Sequence, residues 1–196
     1  MRENRWLAVF YDHMMNFFDR LGMRRWRKRL WSGVRGKLVL DAGSGPGSNQ
    51  PFYPLKGRAV VLDADKHMLD RGRIRDKGGE TTMILGDVEN LPFKDEVFDT
   101  IVSSFLFCSL DNPEQGMKEF HRVLKPGGQL LLLEHGRSRG ALGRFMYYVS
   151  IPLYRLFGDN ITRDVLQKGT KAGFEKVSSS RLLLDVVKLI RMVKPA

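Results

Sequence analysis

An open, mostly parallel sheet with helices on both faces is the fold this sequence predicts, and three observations predict it. Strand-like and helix-like stretches alternate from residue 37 to 134, the rhythm of βαβ units. The strand-like stretches are short, nearly continuous apolar runs, as strands buried on both faces require. The first of them, Leu38-Val39-Leu40, ends in Asp41 and runs into a turn with glycines at 43, 45 and 47. Without a Cβ there, the backbone can come close to a ligand. A chain of 196 residues suits one domain with a sizeable core.

Taken in order, the chain opens with Leu7, Phe10, Met14, Phe17 and Leu21, a helical stripe that Tyr11, Met15 and Phe18 widen and Gly22 ends. Residues 23–31, MRRWRKRLW, set Trp26 and Trp31 among Arg24, Arg25, Arg27, Lys28 and Arg29. Such a basic amphipathic stretch can lie in a membrane interface, or pack on a domain with its cations in water. Residues 1–36 therefore read as an amphipathic basic helical segment, a lid or membrane-facing element, and 37–196 as the main domain. After the glycine turn, Ala59–Leu62 reads as a second strand ending at Asp63. Asp65 caps the next helix, with Met68 and Leu69 inward and Gly78-Gly79 closing it. Thr81–Leu85 is a third strand, followed by a loop over 86–92, and Phe98–Ser104 is a fourth.

Asn112 as N-cap, Pro113 at N1 and Gln115 at N3, a capping-box-like arrangement, predict a helix with an apolar face of Phe120, Val123 and Leu124. Lys125-Pro126-Gly127-Gly128 ends it and leads into the strand Gln129–Leu133. Residues 136–158 break the rhythm with a run of large apolar side chains, among them Phe145, Met146, Tyr147, Tyr148, Tyr154 and Phe157, and with arginines at 137, 139, 144 and 155. This apolar, basic insertion suits a substrate lid or a membrane-facing surface. Thr162 is a cap for another helix, ended by Gly173. The tail reads as two strands, near 174–182 and 186–193, although Val186, Val187, Leu189 and Ile190 would also suit a helix.

Net charge is +11, and ten Lys/Arg stand against three acids in residues 1–37. That excess points to an anionic partner, lipid or nucleic acid, or to a solvated face. One cysteine, Cys108, excludes an internal disulfide and a cysteine zinc cluster. No run approaches the roughly 20 apolar residues of a membrane span. The start is amphipathic and charged rather than signal-peptide-like, so a cytoplasmic setting is expected. No spacing suits a metal site or hydrolytic triad.

In a doubly wound sheet, ligands bind at the carboxyl ends of the strands where strand order reverses. Asp63 stands twenty residues after Gly43, the place of an acid that accepts from ribose hydroxyls. The dinucleotide fingerprint itself fits poorly, because Ser48 stands where its third glycine belongs. The stretch Lys37–Gly47 instead resembles the first motif of class I methyltransferases that use S-adenosylmethionine (AdoMet). Gly86-Asp87-Val88-Glu89-Asn90-Leu91-Pro92-Phe93 resembles that family's adenine-clasping segment. Phe98–Ser104 resembles its fourth-strand motif, and Arg122–Leu133, with K-P-G-G, its segment before the fifth strand. The resemblance covers about residues 9–195 and implies a Rossmann-like, seven-stranded, mostly parallel sheet. It implies AdoMet as cofactor, held by Tyr11, Asp41, Gly43, Ser44, Gly45, Asp63, Ala64, Met68, Asp87, Val88, Ser103 and Ser104.

Tyr11-Asp12 resembles the quinone and phospholipid methyltransferases. Leu106–Ser109, Glu134-His135 and Asn160–Arg163 resemble membrane-associated thiol methyltransferases. A small or lipid-like acceptor (thiol, phospholipid amine or quinone-type) at a membrane surface is therefore expected, without nucleic acid. His135, directly after a strand end and with a near-neutral ordinary pKa, is the candidate general base. Two other readings stand beside this one: a nicotinamide oxidoreductase, and a binding module for membrane or nucleic acid that kept the fold and lost the chemistry.

Overall fold

The computed structural model describes residues 22–53, 57–75, 81–136, 148, 163–182 and 186–196. The N-terminal stripe with Tyr11, the Gly78-Gly79 stop, nearly all of the apolar insertion and Thr162 lie outside the described residues. Seven strands form one sheet: β1 (Leu38–Ala42), β2 (Arg58–Asp63), β3 (Thr81–Leu85), β4 (Phe98–Ser104), β5 (Leu124–His135), β6 (Glu175–Leu182) and β7 (Val187–Val193). Their order is β3-β2-β1-β4-β5-β7-β6. Strands β1 to β5 are parallel, and β7 enters antiparallel between β5 and β6. The Rossmann-like sheet expected from the sequence is thus present, and the tail is strand rather than helix. Val187, Leu189 and Ile190 pair along β5, so ladder bonds and two-sided burial override a helical pattern.

Alternation along the strands divides the core between two faces. Leu40, Ile101, Leu130, Leu132, Ile190 and Met192 pack on α3 (Pro113–Val123) and α4 (Val165–Lys171). Val39, Val102, Leu131, Leu133 and Val187 pack on Leu30 and Trp31 of α1 (Arg24–Trp31). The remaining helix, α2 (Lys66–Arg75), follows β2, and Asp65 caps it through Oδ1, which accepts from the His67 N–H at 2.8 Å.

Three sequence expectations are corrected. Asn112 caps α3 by accepting from the Gln115 N–H at 3.1 Å, but the reciprocal half of the capping box is absent. The Asn112 N–H donates to Glu89 Oε1 at 2.6 Å instead. The cap of α4 is Asp164, which accepts from the Gln167 N–H, and not Thr162. The third correction concerns the basic helix. Arg27 and Trp31 are 4% exposed, and Trp26 is half-buried against the same core. Both tryptophans therefore face the sheet rather than an interface, because Leu30, Trp31 and Arg27 share one side of a two-turn helix. The outward side keeps Arg24, Arg25, Lys28 and Arg29.

Candidate active site

Strand order reverses between β1 and β4, and the glycine turn lies at the carboxyl end of β1 beside that break. The Gly43 and Ser44 N–H groups donate to the Leu62 carbonyl at 2.8 and 3.2 Å, folding the turn over the end of β2. Gly43 has φ +67°, and a Cβ there would strike Leu106 Cδ1 at 2.6 Å. Gly45 has φ +56°, yet a Cβ there would meet nothing within 4 Å. One glycine thus permits packing against the far wall, and the other lies beside open space. Asp63 ties the turn down: Oδ2 accepts from the Gly45 N–H at 2.7 Å and Oδ1 from the Asp65 N–H at 2.9 Å. Burial pushes its pKa above the ordinary value, and the backbone donors oppose that shift. Ala64 is exposed and Met68 half-buried, both following Asp63 along the same edge.

Asp41, at the end of β1, lies beneath the glycine turn. It is 0% exposed. Its Oδ1 accepts from Asn49 Nδ2 at 2.9 Å and its Oδ2 from the Tyr53 hydroxyl at 2.6 Å. Burial pushes its pKa up to about 6, against the hydrogen bonds of Tyr53 and Asn49 and the charge of Arg27. A carboxylate so enclosed, with both oxygens hydrogen-bonded, shapes the turn from beneath.

The loop after β3 carries Asp87 and Val88. Asp87 is exposed, and its Oδ1 accepts from the Glu89 N–H at 2.8 Å in a local turn. Val88 is 4% exposed and anchors the loop in the core. Arg122, at the end of α3, holds the far side of this loop. Its guanidinium donates to the carbonyls of Leu91 and Phe93 and pairs with Asp95 and Glu119. Glu119 in turn accepts from the Leu91 N–H at 2.8 Å. The loop is held from three sides.

The opposite wall follows β4. Ser104 Oγ lies 3.5 Å from Asn49 Nδ2, while Ser103 is 0% exposed. Phe105 adopts φ +57°, a backbone region that is costly for a bulky residue. Glu134 braces this turn, its Oε1 accepting from the N–H groups of Leu106 at 3.0 Å and Phe107 at 3.4 Å. Arg163 holds it from outside, Nη1 donating to the carbonyls of Phe107 at 2.7 Å and Leu110 at 2.6 Å. Burial pushes Glu134 up to about 8. His135 continues the Leu131–Leu133 side of β5, its ring 4.7 Å from Phe105. Desolvation pushes its pKa down to about 4, so near pH 7 it is a neutral imidazole of weakened basicity. Cys108 donates to the Phe105 carbonyl at 3.3 Å and serves as local packing.

Asp41, Gly43, Ser44, Gly45, Asp63, Asp87, Ser103 and Ser104 therefore gather at the carboxyl ends of four neighbouring strands, with His135 at the end of the next. Arg27, Asn49, Tyr53 and Glu134 belong to the same constellation, although the sequence does not mark them as site residues. Asn49 and Tyr53 stand in G-S-N-Q-P-F-Y just past the glycine turn, a polar and an aromatic hydroxyl residue beside a buried acid. Arg27 carries no such signal, being one cation among five.

The family model described as "Methyltransferase domain" matches residues 40–132. Relatives named ubiquinone/menaquinone biosynthesis C-methyltransferase UbiE include one from Pseudomonas fluorescens strain Pf0-1, 33% identical over 96% of this chain and 86% of its own length. The chain belongs to the S-adenosylmethionine-dependent methyltransferases. A relative of the same name from Yersinia enterocolitica is also 33% identical, over 96% of this chain and 87% of its own length. These alignments run to 220 or 221 positions, more than the residues of this chain, so the relatives carry insertions it lacks. Among solved structures, a chain of the complex between the Haloferax volcanii Trm112 methyltransferase activator and a methyltransferase shares the fold with TM-score 0.75 at 18% identity. That match covers 95% of this chain and 96% of the other. The N-methyltransferase NodS from Bradyrhizobium japonicum, in complex with S-adenosyl-L-homocysteine, matches with TM-score 0.69 at 19% identity, over 88% of this chain and 87% of its own.

The residues present fit the cofactor of this family. Open space lies beside Gly45, and the buried hydroxyls of Ser44 and Ser103 have no hydrogen-bond partner. Asp63 and Asp87 stand as acceptors at the ends of β2 and β3, and this methyltransferase places all of them on one edge. When bound, AdoMet supplies a methyl group on a positively charged sulfur.

Proposed function

We propose that this methyltransferase methylates a ring carbon of a small, quinone-type lipid acceptor at a membrane surface. The observation that carries the reading is the 33% identity, over 96% of the chain, to relatives named ubiquinone/menaquinone biosynthesis C-methyltransferases. The site's chemistry supports it. The wall facing the glycine turn carries the apolar side chain of Leu106 next to Phe105, which suits a flat, apolar acceptor better than a charged one. Asp63 accepts from the ribose hydroxyls and Asp87 from the adenine amine, while the glycine turn admits the amino-acid end.

Methyl transfer is an in-line displacement in which the methyl–sulfur bond would break as the ring carbon–methyl bond forms, the displaced ring proton then passing to solvent. The chain's main contribution is therefore to hold the acceptor atom near the methyl group. A neutral His135 accepts a hydrogen bond from an acceptor hydroxyl and orients the ring. Its depressed pKa makes it a weak proton acceptor, so its contribution is modest next to positioning. The apolar insertion over 136–158 and the outward cations of α1 support action at an anionic membrane surface, on its cytoplasmic side. Incubation with labelled AdoMet and separate panels of reduced quinone analogues, thiols, phospholipids and RNA tests the reading. Label on a ring carbon of a quinone analogue is expected. Label on thiol, phospholipid or RNA alone would overturn it.

A further inference from the structure

Arg27 is a basic residue on an otherwise outward-charged helix, yet it is 4% exposed. Its Nη1 donates to Asn49 Oδ1 at 2.8 Å, and Asn49 Nδ2 donates on to Asp41 Oδ1 at 2.9 Å. Tyr53 donates to the other carboxylate oxygen at 2.6 Å and packs its ring on Trp31, centroids 4.6 Å apart. The Arg27 guanidinium also lies 5.9 Å from the centroid of Phe105. One helix outside the sheet is thus linked to the floor of the glycine turn and to the opposite wall.

The geometry points to Arg27 as a positioning residue for cofactor binding, acting through Asn49 to keep Asp41 an acceptor beneath the glycine turn. The logic is that of hydrogen-bond donors and acceptors. Tyr53 O–H and Asn49 N–H both need an acceptor, and only the ionised carboxylate offers one to each without a competing proton. A buried carboxylate persists only when paired and hydrogen-bonded. Among the described residues, the charged and titratable groups facing Asp41 are Arg27 from α1, Tyr53 from beyond the turn and Asp63 from the end of β2. Of these, Arg27 and Tyr53 favour the ionised form and Asp63 opposes it. Loss of Arg27 removes the cation that favours ionised Asp41 and leaves Asp63 opposing it, so Asp41 takes up a proton at higher pH and the turn loses its floor.

The test measures AdoMet affinity by calorimetry from pH 5 to 8.5 for the parent, Arg27→Met, Arg27→Lys and Tyr53→Phe. In the parent, affinity falls below about pH 6, where Asp41 protonates. In Arg27→Met the midpoint of that fall moves up by about one pH unit or more, which near the midpoint is roughly tenfold in affinity. Arg27→Lys keeps a charge and restores part of the shift, and Tyr53→Phe moves the midpoint the same way through the other oxygen. Thermal unfolding of the cofactor-free protein gives a second readout. The melting point of Arg27→Met should lie well below the parent's at pH 8 and approach it near pH 5, where Asp41 is neutral in both. A loss of affinity and of stability that is the same at every pH would make Arg27 a packing residue and overturn the proposal. So would a midpoint unmoved in Arg27→Met, whatever Tyr53→Phe does. The proposal rests on AdoMet binding and not on the quinone acceptor: failure of every quinone analogue as acceptor would leave these profiles intact.

Discussion

Asp63 closes β2 with one oxygen on the Gly45 N–H and the other on the Asp65 N–H, so it both builds the turn and presents acceptor capacity beside it. Asp63→Ala should weaken AdoMet binding by about 1–3 kcal/mol, the cost of an unmet hydrogen-bonding group, measured by calorimetry at pH 7.5. Unchanged affinity would remove Asp63 from the ribose site. Glu134 makes a different prediction. Its folded pKa of about 8 lies above the ordinary 4.5, so between those values the folded protein holds more protons than the unfolded chain. Stability then falls as pH rises through that window. His135 works oppositely between about 4 and 6.5, where the unfolded chain binds the extra proton and stability rises with pH. The Glu134 slope is therefore cleanest from pH 6.5 to 8. Glu134→Gln keeps an oxygen for the Leu106 and Phe107 N–H groups, so its denaturation midpoint should be nearly flat across that range while the parent's declines.

At the scale of elements, α1 and α3 show what local pattern does and does not carry. Asn112-Pro113 opens α3 as the pattern predicts, and Asn112→Ala should cost about 1 kcal/mol in urea denaturation. The bond from the Asn112 backbone N–H to Glu89 survives in that variant, so the loss reports the side-chain cap on the Gln115 N–H. Helix α1 has a basic amphipathic pattern that fits either a membrane or a sheet. Trp31, 4% exposed beside Leu30, Leu131 and Leu133, decides for the sheet. Trp31→Ala should destabilise the fold by about 3–5 kcal/mol, read by denaturation, because it empties a core position and also strips the Tyr53 ring of its neighbour. A change much smaller than that would mean that the helix is not part of the core.

For the whole molecule, the sum of charges matters more than any pair. Net charge is +11, and Arg24, Arg25, Lys28 and Arg29 share the outward side of α1. Among the described residues no helix is long and apolar enough to cross a membrane. Any attraction of these cations to an anionic surface is electrostatic, worth about 1 kcal/mol per basic residue and screened by salt. Co-sedimentation with anionic vesicles should fall steeply between low and physiological salt, and again on charge reversal at residues 24, 25, 28 and 29. Equal sedimentation with neutral vesicles would show the cluster to be only a solvated face.

The sequence by itself determined the layers and the edge at which ligands bind. Short apolar runs separated by capped helices leave little choice but a parallel sheet covered on both sides. The acids and glycines at positions 41, 43, 45, 63 and 87 then fall at strand ends by counting alone. The seventh strand was ambiguous because Val186–Ile190 suits either period, and only pairing along β5 resolves it. Tertiary structure alone decided which polar groups face a ligand and which serve the fold. Asp41 and Asp63 look alike in sequence, yet one points beneath the turn into a buried network and the other stays at its rim. Arg27 looks like its four basic neighbours, yet it is the one turned towards the sheet. Such differences depend on which side of an element meets another element distant in the chain, and burial, not residue type, then sets hydrogen-bond partner and protonation.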